Sequence, residues 1–312
     1  LPKETMVTEF ILIGFSNFPD LQIVLFVVFL LMYLLTLTGN IAIMTIIRVD
    51  HSLHIPMYFF LSILSFSETC YTFAIIPNML ANLLKARKTI SYIGCVTQMF
   101  FFLGFGCTNC ILLAVMGYDR YVSVCKPLHY QTIMNQRFCT QLVAFTVATG
   151  FLCSTIETYI VFTLPFCESN KIHQFFCDMA PVIKLACARS KIGETIIFII
   201  CLFVVFCAFL LIILTYILIL STILKIPSAE GKRKAFSTCA SHLIVVVVHY
   251  GCASIIYLRP KPGENLDDET LISVTYTVIT PLLNPIVYTL RNKDILRALK
   301  KALGRKMFMQ TR

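Results

Sequence analysis

Seven stretches of this chain are long and apolar enough to cross a lipid bilayer, and that limits the fold more than any motif does. They run at about residues 22 to 47, 56 to 84, 95 to 125, 138 to 163, 194 to 224, 235 to 258 and 270 to 290. About 20 consecutive apolar residues span the hydrocarbon core. Backbone polar groups there must be satisfied within the segment, so each stretch is read as a helix. Stretches near 30 residues exceed the need, which implies tilt or extension beyond the bilayer. With 58% of its 312 residues hydrophobic and 13% charged, the chain lies outside the range of soluble domains. The expectation is an all-α, seven-transmembrane helix bundle forming one domain over residues 1 to 312, with no linker, repeat or low-complexity segment to divide it.

Charge sets the orientation. With the N-terminus outside, the inner segments hold 16 Lys and Arg, including Lys232, Arg233, Lys234 and eight from Arg291 onward, and the outer segments hold 10. Cations gather on the cytoplasmic side. The net charge of +10 therefore faces anionic membrane lipids and an acidic partner at that surface; nothing calls for nucleic acid. Residues 1 to 21 show no cationic start followed by a cleavable apolar segment, so the first span is expected to act as the targeting signal. No HExxH, GxSxG or GxxxxGK motif occurs, and neither an enzyme nor a cofactor or metal is expected.

Polar residues inside apolar spans are costly and mark function or tight packing. Asp119 and Arg120 sit where the third span meets the inner interface. Asn40 follows Gly39 in the first span and needs an interhelical partner, which the small glycine lets approach. Glu68, about three turns into the second span, is either a neutral structural hydrogen-bonder or part of a switch with Asn109 and Asn284. Glu157 in the fourth either reaches the outer part of the bundle or pairs at the outer interface. Pro281 and Pro285 free backbone groups that polar neighbours must satisfy, so a kink is expected there. Residues 293 to 303 place Ile295, Leu296, Leu299 and Leu303 on one side and Arg297, Lys300 and Lys301 around them, an amphipathic helix lying on the inner leaflet.

Several stretches carry a family likeness. MGYDRYVSVCKPLHY at 116 to 130, LHIPMYFFLSILSFSE at 53 to 68, KAFSTCASHL at 234 to 243, PLLNPIVYTLRN at 281 to 292 and TEFILIGFS at 8 to 16 resemble odorant (olfactory) receptors, rhodopsin-like G-protein-coupled receptors. The stretch at 53 to 68 looks like their larger, land-vertebrate class (class II). The resemblance spans about residues 8 to 303. It implies a receptor for small volatile, mostly hydrophobic odorants, coupled to a heterotrimeric stimulatory olfactory-type G protein that raises cyclic AMP, in the plasma membrane of olfactory sensory neuron cilia. It implies an activation switch of Asp119, Arg120, Tyr121, Tyr216, His242, Asn284, Pro285 and Tyr288, beside a polar core of Asn40, Glu68 and Asn109. It also implies disulfides Cys95–Cys177 and Cys167–Cys187, which spacing alone cannot pair. Two features depart from the family: Thr215 precedes Tyr216 where serine is usual, and no Asn-x-Ser/Thr sequon occurs among these residues.

For the ligand, helical faces counted back from Arg120 turn Phe102, Leu103, Gly106, Cys107 and Cys110 to the bundle centre. Family position adds Ile200, Cys201 and Val204 from the fifth span, Tyr250, Ala253 and Tyr257 from the sixth, and Val274 and Thr277 from the seventh, with Tyr250 and Tyr257 as polar anchors. A metal at His173, Cys177 and Asp178 conflicts with the implied disulfide. His242 and His249, seven residues and about 10 Å apart along a helix, cannot share one ion with Cys239 and Cys252. A receptor for a non-odorant lipid or metabolite is the alternative reading. A transporter using Glu68 and Glu157 lacks the paired broken helices such folds show.

Overall fold

A computed structural model describes residues 7–16, 19–166, 170–187, 191–257 and 266–310. Seven long helices form the bundle: α1 (Gln22–Val49), α2 (Pro56–Leu83), α3 (Tyr92–Cys125), α4 (Gln136–Phe162), α5 (Lys191–Lys225), α6 (Ala229–Tyr257) and α7. The last runs as Leu266–Val274, a π-helical turn Thr275–Ile279, and Thr280–Arg291. Among the described residues, six of the seven are long and apolar enough to cross a membrane. In α6 the apolar part is Cys239–Cys252. An eighth helix, α8 (Lys293–Gln310), follows the bundle.

Local chemistry fixes the ends. Pro56 opens α2, where its missing N–H costs nothing. Ser91 caps α3 by accepting from the Gly94 N–H at 3.0 Å, and Asn135 caps α4 by accepting from Phe138 N–H at 3.0 Å. A sixth helix starting near residue 235 would put Lys234 at its dipole-disfavoured end. The helix instead starts at Ala229 and has Glu230 in its first turn, so the cations fall past the unfavourable end.

α3 lies at the centre, packed on α2, α4 and α5 and touching α6. Its close approach to α4 depends on small residues: a Cβ on Gly150 would lie 2.9 Å from the Gly104 carbonyl oxygen. Gly39 likewise sits against Pro285 and brings α1 to α7. The neighbouring Asn40 is buried, yet neither of its amide atoms is hydrogen-bonded among the described residues, so the expected interhelical partner is not found. Large apolar side chains of α1 and α5, such as Leu35 and Phe203, face outward as lipid-facing residues do.

The described residues ahead of α1 carry a strand that the sequence reading does not foresee. Strand β1 (Glu9–Leu12) lies between β2 (Thr89–Ser91), antiparallel, and β3 (Lys171–Ile172), parallel. Phe10 and Leu12 point inward, and Arg87 pairs with Glu9 across the sheet. The Cys95–Cys177 disulfide ties the β3 loop to α3. Cys187 is also in a disulfide, and Cys167, its expected partner, lies outside the described residues. After β1, Gly14 adopts φ +23°, and a Cβ there would meet Phe175 Cβ at 2.7 Å and Cα at 2.8 Å. Gly14→Ala is therefore expected to destabilise this outer cap by about 1–3 kcal/mol, read as a lower melting temperature of the purified chain with the helix content intact.

At the inner face, α8 is docked by polar contacts. Tyr58 Oη of α2 donates to Asn292 Oδ1 and lies 3.2 Å from Asp294 Oδ2, and Lys301 reaches Asp50 at 3.8 Å. The Ser52 hydroxyl and N–H both donate to Asp50 and hold its carboxyl below the usual range.

Candidate ligand cavity and inner switch

A cavity of about 100 Å³ lies in the bundle between α2, α3, α4, α5, α6 and α7. From α3, Phe102, Leu103, Gly106, Cys107, Asn109 and Cys110 line it, because residues three and four apart share one helix face. Cys201, Val204 and Val205 of α5 close one side, and Tyr71 of α2 with Tyr276, Thr280 and Pro281 of α7 close the other. Glu157 and His249 reach in from α4 and α6. Apolar surface dominates, with a few polar groups to orient an occupant, the usual composition of a small-molecule site.

The polar groups are arranged in pairs. Asn284 donates to the Glu68 carboxylate oxygen on the inner side of the cavity, linking α7 to α2. Cys110 Sγ and His249 Nε2 are 3.2 Å apart, and the Tyr250 hydroxyl donates to the Cys110 carbonyl at 2.9 Å, joining α6 to α3. Cys201 Sγ donates to Glu157 Oε1 at 3.4 Å. The roof is aromatic: Phe176 of the disulfide-bound loop stacks edge-on to Phe102 at 5.1 Å and approaches Tyr276 at 6.3 Å. That loop is pinned further by Gln98 of α3, which accepts from Cys177 N–H at 2.8 Å, and by Tyr276 and Ser273 of α7, which bond Asp178 and Gln174 at 3.2 and 2.6 Å.

At the inner end, Asp119 and Arg120 are both buried. They form no ion pair with each other among the described residues; Asp119 accepts instead from Tyr130 Oη at 2.8 Å. Burial, and then the adjacent Asp119 carboxylate, push the Tyr130 phenol well above its ordinary pKa, so it remains the donor. The Tyr216 hydroxyl of α5 meets His242 Nδ1 at 2.8 Å, and His242 Nε2 meets the Leu113 carbonyl of α3 at 3.0 Å. A carbonyl can only accept, so Nε2 carries the proton, Nδ1 accepts, and Tyr216 donates. One neutral imidazole thereby bridges α5, α6 and α3. Tyr288 of α7 is buried nearby, and its hydroxyl has no partner among the described residues. Beside this cluster a cleft of about 770 Å³ opens between α5, α6 and the α7–α8 junction, lined by Ile219, Ile223, Phe236 and Leu243 with Arg233, Arg291 and Lys293.

The profile of the family described as "Olfactory receptor" matches residues 29–306. The chain belongs to the olfactory receptor family. It is 57% identical over 302 residues to human olfactory receptor 10R2, covering 97% of this chain and 90% of that one. Human olfactory receptor 10T2 is also 57% identical, with 97% and 96% covered, and mouse olfactory receptor 10J5 is 52% identical, with 96% and 97% covered. The chain is thus a multi-pass odorant receptor of the G-protein-coupled type, not an enzyme.

Within this receptor the structure brings together all five α3 residues expected in the cavity, with Cys201 and Val204. It places others elsewhere. Ile200 is off the wall, half-buried on α5. Tyr250 is buried behind the wall, its hydroxyl used by Cys110 and its ring against Phe209 at 5.4 Å. Val274 sits in the apolar cluster under the outer cap, and Thr277 is consumed inside the π turn, where its hydroxyl donates to Ser273 O at 2.6 Å. The side chains of Ala253 and Tyr257 lie outside the described residues. Sequence reasoning missed Tyr71, Val205, His249, Tyr276, Thr280 and Pro281 as cavity residues and left Glu157 undecided. For His249 and Glu157 a signal existed, since each is a rare polar residue in an apolar span. Asn109 lines the cavity together with Glu68, and its Oδ1 has no partner among the described residues.

Proposed function

We propose that this receptor binds a small, volatile, mostly hydrophobic odorant in the cavity between α3, α5, α6 and α7, and that binding activates a stimulatory olfactory-type G protein and raises cyclic AMP. The observation that carries the reading is one continuous path. The cavity is bounded by α3 and α6, and the same two helices are bridged lower down by His242 through Leu113. A ligand acts by binding the active arrangement more tightly than the resting one. In the resting arrangement Tyr216 and His242 hold α6 against α3; a ligand that favours release lets α6 swing from Arg120 and widens the inner cleft, whose apolar walls and basic rim suit an amphipathic segment of the G protein. The plasma membrane of olfactory sensory neuron cilia is where such signalling belongs.

The test fills the cavity. Gly106 faces it with only Tyr71 Cε2 near, at 3.7 Å from a built Cβ, so a Cβ is accommodated there and Gly106→Leu projects into ligand space. In cells displaying matched surface amounts, an odorant active on the parent chain is expected to need at least roughly tenfold more for the same cyclic AMP, given about 1–3 kcal/mol for misfit in an apolar pocket. An unshifted response across all active odorants would move the site elsewhere.

A further inference from the structure

We infer that Glu157 makes this receptor a detector of small apolar amines, its carboxyl serving as the acid–base partner of the ligand's amino group. The inference rests on the cavity's being the odorant site. Glu157 is 1% exposed, lines the cavity from α4, and holds only the weak Cys201 thiol contact on Oε1. Oε2, equally buried, has no hydrogen-bond partner among the described residues. A buried polar atom without a partner is costly, and sites that leave one tend to fill it with ligand. Among the described residues, the titratable side chains in electrostatic reach of Glu157 are the thiols Cys107, Cys153 and Cys201. Thiols bond weakly and compete poorly for a carboxyl oxygen. Among the described residues no Lys or Arg lines the cavity, and its other acid and base are taken, Glu68 by Asn284 and His249 by Cys110.

At bilayer depth an isolated carboxylate is disfavoured, so the resting partner of a free-base amine is the neutral acid. On binding, the proton passes from the carboxyl oxygen to the amine nitrogen: an O–H bond breaks, an N–H bond forms, and a carboxylate–ammonium pair results. No net charge is carried into the membrane, and Oε2 gains a charge-assisted bond. Phe102, Leu103 and Val204 receive the hydrocarbon part, and the cavity's small volume favours a compact one.

Cyclohexylamine, cyclohexanol and cyclohexanone share one ring and differ in the polar group. With the purified full chain in lipid nanodiscs, thermal stabilisation by cyclohexylamine is expected at a concentration at least roughly tenfold lower than by the other two, as a bond to a charged group implies. Glu157→Gln keeps the shape and a donor but cannot give up a proton, and should erase that preference. Cys201→Ala keeps the acid and should preserve it, which separates loss of the acid from general damage to this wall. Cyclohexanone as the best ligand, unaffected by Glu157→Gln, would mean that the group acts as a neutral donor and overturns the inference, as would equal or absent stabilisation by all three. Amine stabilisation without any cyclic AMP response would sink the coupling reading and leave the inference standing. Cyclic AMP responses to neutral odorants alone, with no amine stabilisation, would do the reverse.

Discussion

Cys95→Ser and Cys177→Ser are each expected to remove most folded receptor from the cell surface. The bond joins residues 82 apart in sequence and fastens to α3 the loop that carries Phe175 and Phe176 over the cavity. Losing a native disulfide of this kind costs about 2–5 kcal/mol. The loss should spread, because β3 of that loop also pairs with β1, and Phe175 stacks on Phe15 at 5.2 Å. Loop, N-terminal strand and cavity roof are therefore one cooperative unit, and the double variant should be little worse than either single one. Melting curves of purified protein and surface labelling of intact cells check this together. Single and double variants that melt with the parent would show the cap to be held by the sheet alone.

Arg120→Ala should silence odorant-driven cyclic AMP while leaving ligand binding intact. Arg120 lies ten residues below Cys110 on one helix, about 15 Å away, so its removal leaves the cavity wall untouched. Its side chain is buried at the inner end, with Nη2 free of hydrogen bonds among the described residues, beside the cleft that release of α6 would widen. Changes to the bridge above it should act with the opposite sign. Tyr216→Phe removes the donor to His242 and with it one contact holding α6 to α5. A hydrogen bond worth about 0.5–1.5 kcal/mol net raises the released population roughly two- to tenfold, seen as higher cyclic AMP without odorant. Basal signalling that falls in Tyr216→Phe would place this hydroxyl on the side of the active arrangement.

The spans were legible because a bilayer is an unforgiving solvent: α2 was expected over 56 to 84 and runs Pro56–Leu83. Where water takes over, hydropathy loses sight of the helix. α6 was read from residue 235, yet it starts at Ala229 under charged residues that no apolar window detects. The α3 wall was legible because counting 3.6 residues per turn from Arg120 holds along an unbroken helix. On α7 no such count applied: Val274 and Thr277 came from family position, and Thr277 falls inside the π turn. The outer sheet was missed because Glu9 to Leu12 reads as one acid and three apolar residues with no period of two; four residues flanked by turns are too few to stand out without their partners at 89 to 91 and 171 to 172. The Cys95–Cys177 pairing came from family likeness, because cysteine spacing leaves the connectivity open.

The π turn at Thr275–Ile279 gives α7 two halves out of phase. The Thr280 hydroxyl donates to the Thr275 carbonyl at 3.1 Å, soothing the ladder that the extra residue and Pro281 interrupt. One inserted residue turns the following helix by about 100°. The turn itself offers Tyr276 to the roof while the lower half aims Asn284 at Glu68. Deleting a single residue in this turn would restore an even helix and mis-aim one end, so the top of α7 and its foot are geared to each other by a defect in the winding.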